Sequence, residues 1–233
     1  TMVPNSPQVK EALFGEDGAA ETLRPGSIVL DCSSINPVAS REISAELAKR
    51  KVEMMDAPVS GGEPKAIDGT LAFMVGGKPE IFEKVKPILE KMGSSVVLCG
   101  EIGAGNVTKL CNQIVVGATL AALGEALNLS RAGGLSDVGL LDILAGGLAG
   151  SRALDVKRGM LESGDFTPGG SAENQRKDLV FATETGRALG VRLPVTDAVT
   201  LLYDTMIERG WGGLDHSGVI LVTAPEPTPP DHS

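Results

Sequence analysis

"GEIGAGNVTKLCNQIVVGATLAALGEALNL", residues 100 to 129, is where the chain changes character. It opens on glycines and then, from Asn106 to Leu129, runs through small and apolar side chains, Gly117 and Gly124 among them, without a proline. A proline-free apolar run of that length reads as one long helix. Upstream of it, strand-like and helix-like segments alternate. Downstream, helical segments follow near 135–146, 151–163, 172–189 and 194–209, with no convincing strand among them. A boundary near residue 103 therefore separates an α/β domain, 1–103, from an all-helical domain, 104–222. The tail "TAPEPTPPDHS" (223–233) is proline-rich and is expected to be disordered or extended.

The upstream half carries the strand signals. "SIVLDCSS" (27–34) is a short apolar run ending in small polar residues, as a parallel strand does where it meets a loop. "NPVASREISAELAKRK" (36–51) has Pro37 at a helix start and Val38, Ile43, Leu47 and Ala48 at helical spacing. "VEMMDAPVS" (52–60) and "LAFMVGG" (71–77) are strand-like. "KPEIFEKVKPILEKMG" (78–93) is helical and closed by Gly93, and "SSVVLCG" (94–100) is another strand. Strand, helix and strand in short order predict an α/β domain built on a parallel sheet. The opening "TMVPNSPQV" reads as the loop after a strand whose apolar portion lies before residue 1, so a truncated domain is expected.

Bulk properties remove several functions. Lys and Arg number 21 against 30 Asp and Glu, a net charge of −9, with no basic cluster to relieve it. That argues against a nucleic-acid partner. Cys32, Cys99 and Cys111 are far apart and set in apolar runs, which reads as buried thiols of a reducing compartment. His216 and His232 are the only histidines, and no pair of ligands has zinc spacing, so no metal is expected. No stretch reaches membrane-spanning length and no signal peptide opens the chain. A soluble, cytoplasmic protein with no membrane partner is expected.

Four segments could carry chemistry. In "MMDAPVSGGEPKAIDGTLAFMVGG" (54–77) Ser60, Gly61 and Gly62 follow a strand, either as an ordinary loop or as bare N–H groups and a hydroxyl that grip an anion. In the long helix, Lys109, Asn112, Gln113 and Val116 share one face. A lysine in a first helical turn opposes the usual charge preference and makes the spot attractive to an anion. A solvated lysine beside polar neighbours is the plainer reading, and spacing does not separate the two. Lys177-Asp178 lies within a helical pattern, where a surface ion pair is the ordinary reading. Ser33-Ser34 ends a parallel strand, where such residues cap the next helix or face a ligand.

Together these segments resemble a family. "DAPVSGG" after a strand, "GAGNVTKLCNQ" opening a long helix and "FTPGGSAENQRKDL" match the β-hydroxyacid dehydrogenases in order and spacing. "TMVPNSPQV", "DCSSINP" and "GGLAGS" (146–151) fit the same pattern, and the resemblance runs from residue 1 to about 220. Within the family the pattern is nearest the enzymes that reduce 2-hydroxy-3-oxopropionate (tartronate semialdehyde) to glycerate, with the 3-hydroxyisobutyrate dehydrogenases next.

The resemblance implies a partial Rossmann-type parallel sheet followed by an all-helical C-terminal domain, NAD or NADP as cofactor, and a short carboxylate as substrate. It implies that Ser60, Gly61 and Gly62 hold the substrate carboxylate, that Lys109 is the catalytic acid, and that Asn112 orients substrate, with Gln113 as the competing amide. Lys177 then lies near the nicotinamide, and Val3, Pro4 and Ser34 line the cofactor. A homodimer or homotetramer built on the helical domain is also implied. Three departures stand out. The Gly-x-Gly-x-x-Gly turn for the pyrophosphate is absent and is placed by the resemblance ahead of residue 1, so impaired cofactor binding is expected. Gly170 replaces the usual aromatic residue, and "DHSGVI" (215–220) keeps Asp215 and Ser217 but leads into the proline-rich tail. The alternative function is a non-catalytic oligomerisation module of the same ancestry. A phosphate-loop nucleotide binder finds no Gly-Lys-Ser/Thr motif.

Overall fold

The computed structural model describes residues 1–224, so most of the tail, 225–233, lies outside the described residues. The chain divides into two compact units, Thr1–Asn112 with Val180–Arg192, and Gln113–Leu179 with Leu193 onward.

The first unit opens with a helix that sequence patterning did not single out, α1 (Ser6–Phe14). Asn5 caps it, Pro7 lies in its first turn, and Val9 and Leu13, one turn apart, are buried. Strand β1 (Ile28–Asp31) leads to α2 (Pro37–Lys49), whose first turn is fixed by Asn36 accepting from the Val38 N–H at 2.9 Å. Then come β2 (Glu53–Asp56), β3 (Val59–Ser60), the short α3 (Gly62–Ile67), β4 (Leu71–Gly76), α4 (Pro79–Leu89) and β5 (Gly93–Gly100). The helix expected over 78–93 thus stops at Leu89. Gly93 opens a strand instead, where a Cβ would stand 2.5 Å from the Leu71 carbonyl oxygen.

The sheet has the parallel pairings expected from the sequence at its two sides and an antiparallel centre that the sequence did not announce. β1 pairs with β2, and β4 with β5, in parallel, but β4 runs antiparallel to β2 and β3. The pairs Asp56↔Gly76, Val59↔Phe73 and Ser60↔Ala72 keep one continuous register, so β2 and β3 form a single arm of a hairpin interrupted at Ala57-Pro58. Pro58 has no N–H to offer the ladder. Only six-residue α3 lies in the connection, too short to carry the chain back over the sheet for a parallel return. Successive side chains of β2 serve opposite faces. Met54 packs with Val9, Leu13, Val29, Ile43 and Leu47, and Met55 packs with Phe73, Val75, Phe82, Val85 and Leu89.

The long helix is α5 (Ala104–Ala132), and from Gln113 onward it belongs to the second unit. That unit continues with α6 (Asp137–Gly146), α7 (Arg152–Ser163), α8 (Ala172–Ala188, as far as Leu179), α9 (Pro194–Glu208) and a 3₁₀ turn, His216–Leu221. Leu120, Leu123 and Leu127 of α5 share its core with Leu141, Leu154, Leu161, Leu179, Tyr203, Met206 and Ile220. The Tyr203 hydroxyl donates to the His216 carbonyl at 3.0 Å, and burial pushes its pKa well above the usual phenol range. Among the described residues, strand pairing here is limited to the isolated bridge Ser171↔Asp215. By length and composition alone α5, at 29 residues, is long and apolar enough to cross a membrane, a test that a core helix also passes. Its hydropathy reflects the leucines it gives to this core.

Candidate functional site

The start of α5 is set by a residue of β2. Asp56 is fully buried, and its Oδ1 accepts from the Gly103 N–H at 2.7 Å while Oδ2 accepts from the Asn106 N–H at 2.7 Å. Burial pushes the Asp56 carboxyl above its ordinary value, and the Asn106 and Gly103 amides oppose that rise. The glycines of this segment serve the close approach. A Cβ on Gly105 would lie 2.3 Å from the Met74 carbonyl oxygen, and one on Gly76 would lie 2.3 Å from Asp56 Oδ1. Two expectations change here. Because the helix begins at Ala104, Lys109 stands in its second turn, not its first. The affinity for an anion at the helix start is met by the chain's own carboxylate.

Asn106 carries the connection further. Its Oδ1 accepts from the Ile35 N–H at 3.0 Å, and its Nδ2 donates to Ser40 Oγ at 3.1 Å. Ile35 follows Ser34, a half-buried residue in the loop after β1. In that loop Ser33 Oγ accepts from the Val3 N–H at 2.9 Å, and the Ser33 N–H donates to Asp31 Oδ1 at 3.0 Å. One hydrogen-bonded chain therefore joins Val3, the Ser33-Ser34 loop, Asn106 and Asp56, with Pro4 exposed beside Val3. Lys109 lies three residues beyond Asn106, and Asn112 three beyond Lys109, at spacings that keep them on one side of the helix. Lys109 is 9% exposed, so it is not the solvated lysine of the plainer reading.

Ser60, Gly61 and Gly62 form the passage from β3 into α3. Gly61 has φ +137° and Gly62 φ +67°, conformations that side chains resist. No side chain caps α3, and the Ser60 hydroxyl makes no hydrogen bond among the described residues.

In the second unit the Gln113 amide is fixed by its neighbour. Its Nε2 donates to Gln175 Oε1 at 3.0 Å, and Gln175 Nε2 returns a bond to the Gln113 carbonyl at 2.9 Å. Gln175 is 1% exposed, and His216 Nδ1 lies 3.2 Å from its Oε1. Lys177 Nζ is 3.6 Å from the Asp178 carboxylate, with side chains 18% and 5% exposed, so this is not the surface pair that the sequence alone suggests. Asp215, fully buried, anchors the loop ahead of α8. Its Oδ2 accepts from Lys157 Nζ at 2.7 Å, Gly169 N–H at 3.0 Å and Gly170 N–H at 3.2 Å, and its Oδ1 accepts from Ser217 Oγ at 2.7 Å. Burial would raise its pKa, but the Lys157 and Ser217 bonds overcome that and bring it down to about 2.

Asp56, Asn106 and Gln175 were not singled out by the sequence, although each sits inside a quoted motif. What marks them is a partner distant in the chain. The buried thiols expected from apolar flanks are also corrected, since Cys111 is exposed and Cys32 and Cys99 are only partly covered.

Val3, Pro4 and Ser34 stand at the carboxyl end of β1, beside the start of α2, where doubly wound sheets receive dinucleotides. The residues present fit that end of such a group, while residues 1–233 contain no Gly-x-Gly-x-x-Gly turn for its pyrophosphate.

Comparison with known proteins agrees with this reading. Residues 1–100 match the profile of the NAD-binding domain of 6-phosphogluconate dehydrogenase. Residues 103–223 match that of the NAD-binding domain of NADP-dependent 3-hydroxyisobutyrate dehydrogenase. The chain is 38% identical to the 2-hydroxy-3-oxopropionate reductase of Escherichia coli over 219 residues, 94% of this chain and 75% of that protein. The crystal structure of 3-hydroxyisobutyrate dehydrogenase from Salmonella typhimurium superposes with a TM-score of 0.86 at 32% identity, covering 95% of this chain and 77% of the other. The Mycobacterium tuberculosis 3-hydroxyisobutyrate dehydrogenase, solved with L-serine, gives a TM-score of 0.85 at 31% identity, again covering 95% and 77%. Matched over nearly its whole length in both sequence and fold, the chain belongs to the β-hydroxyacid dehydrogenase family, oxidoreductases that work with NAD or NADP.

Proposed function

We propose that the chain reduces a short semialdehyde acid to its hydroxyacid, with 2-hydroxy-3-oxopropionate going to glycerate. The observation that carries this is the buried Lys109, on one helix face with Asn112, in a helix whose start is fixed to the sheet. A reduced nicotinamide bound there would supply the hydride to the carbonyl carbon. Lys109 Nζ gives the proton to the carbonyl oxygen, so that aldehyde, hydride and proton sum to an alcohol. Ser60 and the backbone of Gly61 and Gly62 hold the carboxylate, a role supported by the positive φ of both glycines and a helix start that no side chain caps. Asn112 orients the substrate. Gln113 is the weaker candidate because its amide N–H₂ is already engaged by Gln175. Val3, Pro4, Ser34 and Lys177 lie along the cofactor in this reading. A cytoplasmic location and a homodimer or homotetramer complete it.

The substrate choice is supported by the 38% identity to a reductase of that name. The likeness to 3-hydroxyisobutyrate dehydrogenases in fold favours a second reading, in which a methyl replaces the substrate's hydroxyl. One such group shifts specificity by about 10- to 200-fold in a hydrophobic pocket. Turnover of both substrates, with NADH and with NADPH, compared between the parent chain and Lys109→Ala, tests the proposal. The variant should lose about 10²- to 10⁴-fold in kcat. Near-normal kcat in Lys109→Ala would remove Lys109 from its role, and a higher kcat/KM for the methyl-bearing semialdehyde, 2-methyl-3-oxopropanoate, would reverse the substrate assignment.

A further inference from the structure

We propose that Asp56 is a positioning residue for the reaction: its carboxylate fixes where α5 begins and how the helix is rotated, and so where Lys109 Nζ stands. This rests on Lys109 as the proton donor. The two oxygens of Asp56 hold N–H groups three residues apart, those of Gly103 and Asn106, each at 2.7 Å. Two bonds on one turn determine axial rotation as well as height, which a single cap bond does not. Asn106 then extends the grip to Ile35 and Ser40, so the helix start is tied to the loop that carries Ser34. There is no slack in the junction, because Gly105 and Gly76 leave no room for a methyl group against Met74 and Asp56. Lys109 lies one turn beyond Asn106, within reach of any rotation there. Displacement of a reacting group by about 1 Å costs on the order of 10²-fold in rate.

The test is Asp56→Asn, measured beside Lys109→Ala and the double variant. An amide accepts on one side only, so one of the two N–H groups must face an NH₂. Asp56→Asn should lower kcat by about 10- to 100-fold with KM for the carboxylate substrate changed less than about threefold. Amide hydrogen exchange at Gly103 or Asn106 should accelerate, while the far-UV circular dichroism stays that of the parent. The double variant should be no slower than Lys109→Ala alone, since a residue acting through Lys109 has nothing left to position. Unchanged kcat in Asp56→Asn, or multiplicative losses in the double variant, would overturn the proposal. Retained turnover in Lys109→Ala would instead sink the Lys109 reading, so the two failures are distinct. Should Asp56→Asn not fold, Asn106→Ala loosens the same junction from the helix side. The same split in kcat and KM is expected there, and an unaltered kcat overturns the proposal equally.

Discussion

Replacing Asp215 by asparagine should destabilise the second unit in a pH-dependent way whose size can be worked out. The carboxylate accepts from Lys157, Gly169 and Gly170 on one oxygen and from Ser217 on the other. An amide can serve only one side, and it leaves Lys157, 11% exposed, without a charge partner. Removing one member of a buried pair costs about 3 to 5 kcal/mol. The pH-dependent part follows from the carboxyl, which falls from 3.8 to about 2 on folding. That shift corresponds to about 2.5 kcal/mol, or about 2 kcal/mol after allowance for screening by nearby solvent. Because the folded pKa is depressed, this stability is present above pH 3.8 and is lost as pH falls through the folded value near 2. Trp211 is the only tryptophan and lies in this unit, so its fluorescence reports the unit's unfolding. In urea titrations, Asp215→Asn should be less stable than the parent by about 3 kcal/mol at pH 7. The gap should narrow to about 1 kcal/mol near pH 2. A difference below about 1 kcal/mol at pH 7, or one that does not change between pH 5 and pH 2, would refute the reasoning.

Thiol reactivity should separate the cysteines. At pH 8 Cys111, exposed on α5, should react with a disulfide reagent quickly, whereas Cys32, partly covered and with its pKa pushed up to about 11 by burial, should react far more slowly. Equal rates for the two would contradict the placement of Cys32. Self-association should appear in light scattering, since Val115, Leu129, Leu135, Ile143 and Leu148 are each at least 65% exposed. A mass of two or four chains is expected, and a clean 24.0 kDa species at micromolar concentration would count against it.

How much of this was legible in the sequence depends on the range of the interaction. Asn36-Pro37 announced α2, and the proline-free apolar run from Asn106 to Leu129 announced α5, because helix starts and local composition are read from neighbouring residues. The parallel sheet was half right. Its antiparallel centre comes from a hairpin whose connection contains α3, and short six-residue helices leave little periodic trace. α1 went unread although Asn5, Pro7, Val9 and Leu13 carry the usual start and spacing. Ser60, Gly61, Gly62 and Lys109 were visible through their neighbours in the motif. Asp56 was not, because an aspartate at a strand end becomes informative only when the amides it receives are brought to it. The apolar flanks of Cys111 suggested burial, but a helix turns each residue by 100° and its neighbours' burial does not extend to it.

The bond between Asp56 and Asn106 spans 50 residues of sequence, and this has a consequence for the order in which the protein assembles. A long apolar helix can form early from its own turns, but its first turn here is finished by a group that the strand must deliver. Until β2 has paired and the hairpin with β4 has closed, the leading end of α5 has two amides with no carboxylate to meet them. The body of the helix is thus local in origin, while its beginning is a late product of long-range closure. Slow steps in refolding should therefore be read first at Gly103 and Asn106, one turn ahead of the proposed proton donor Lys109.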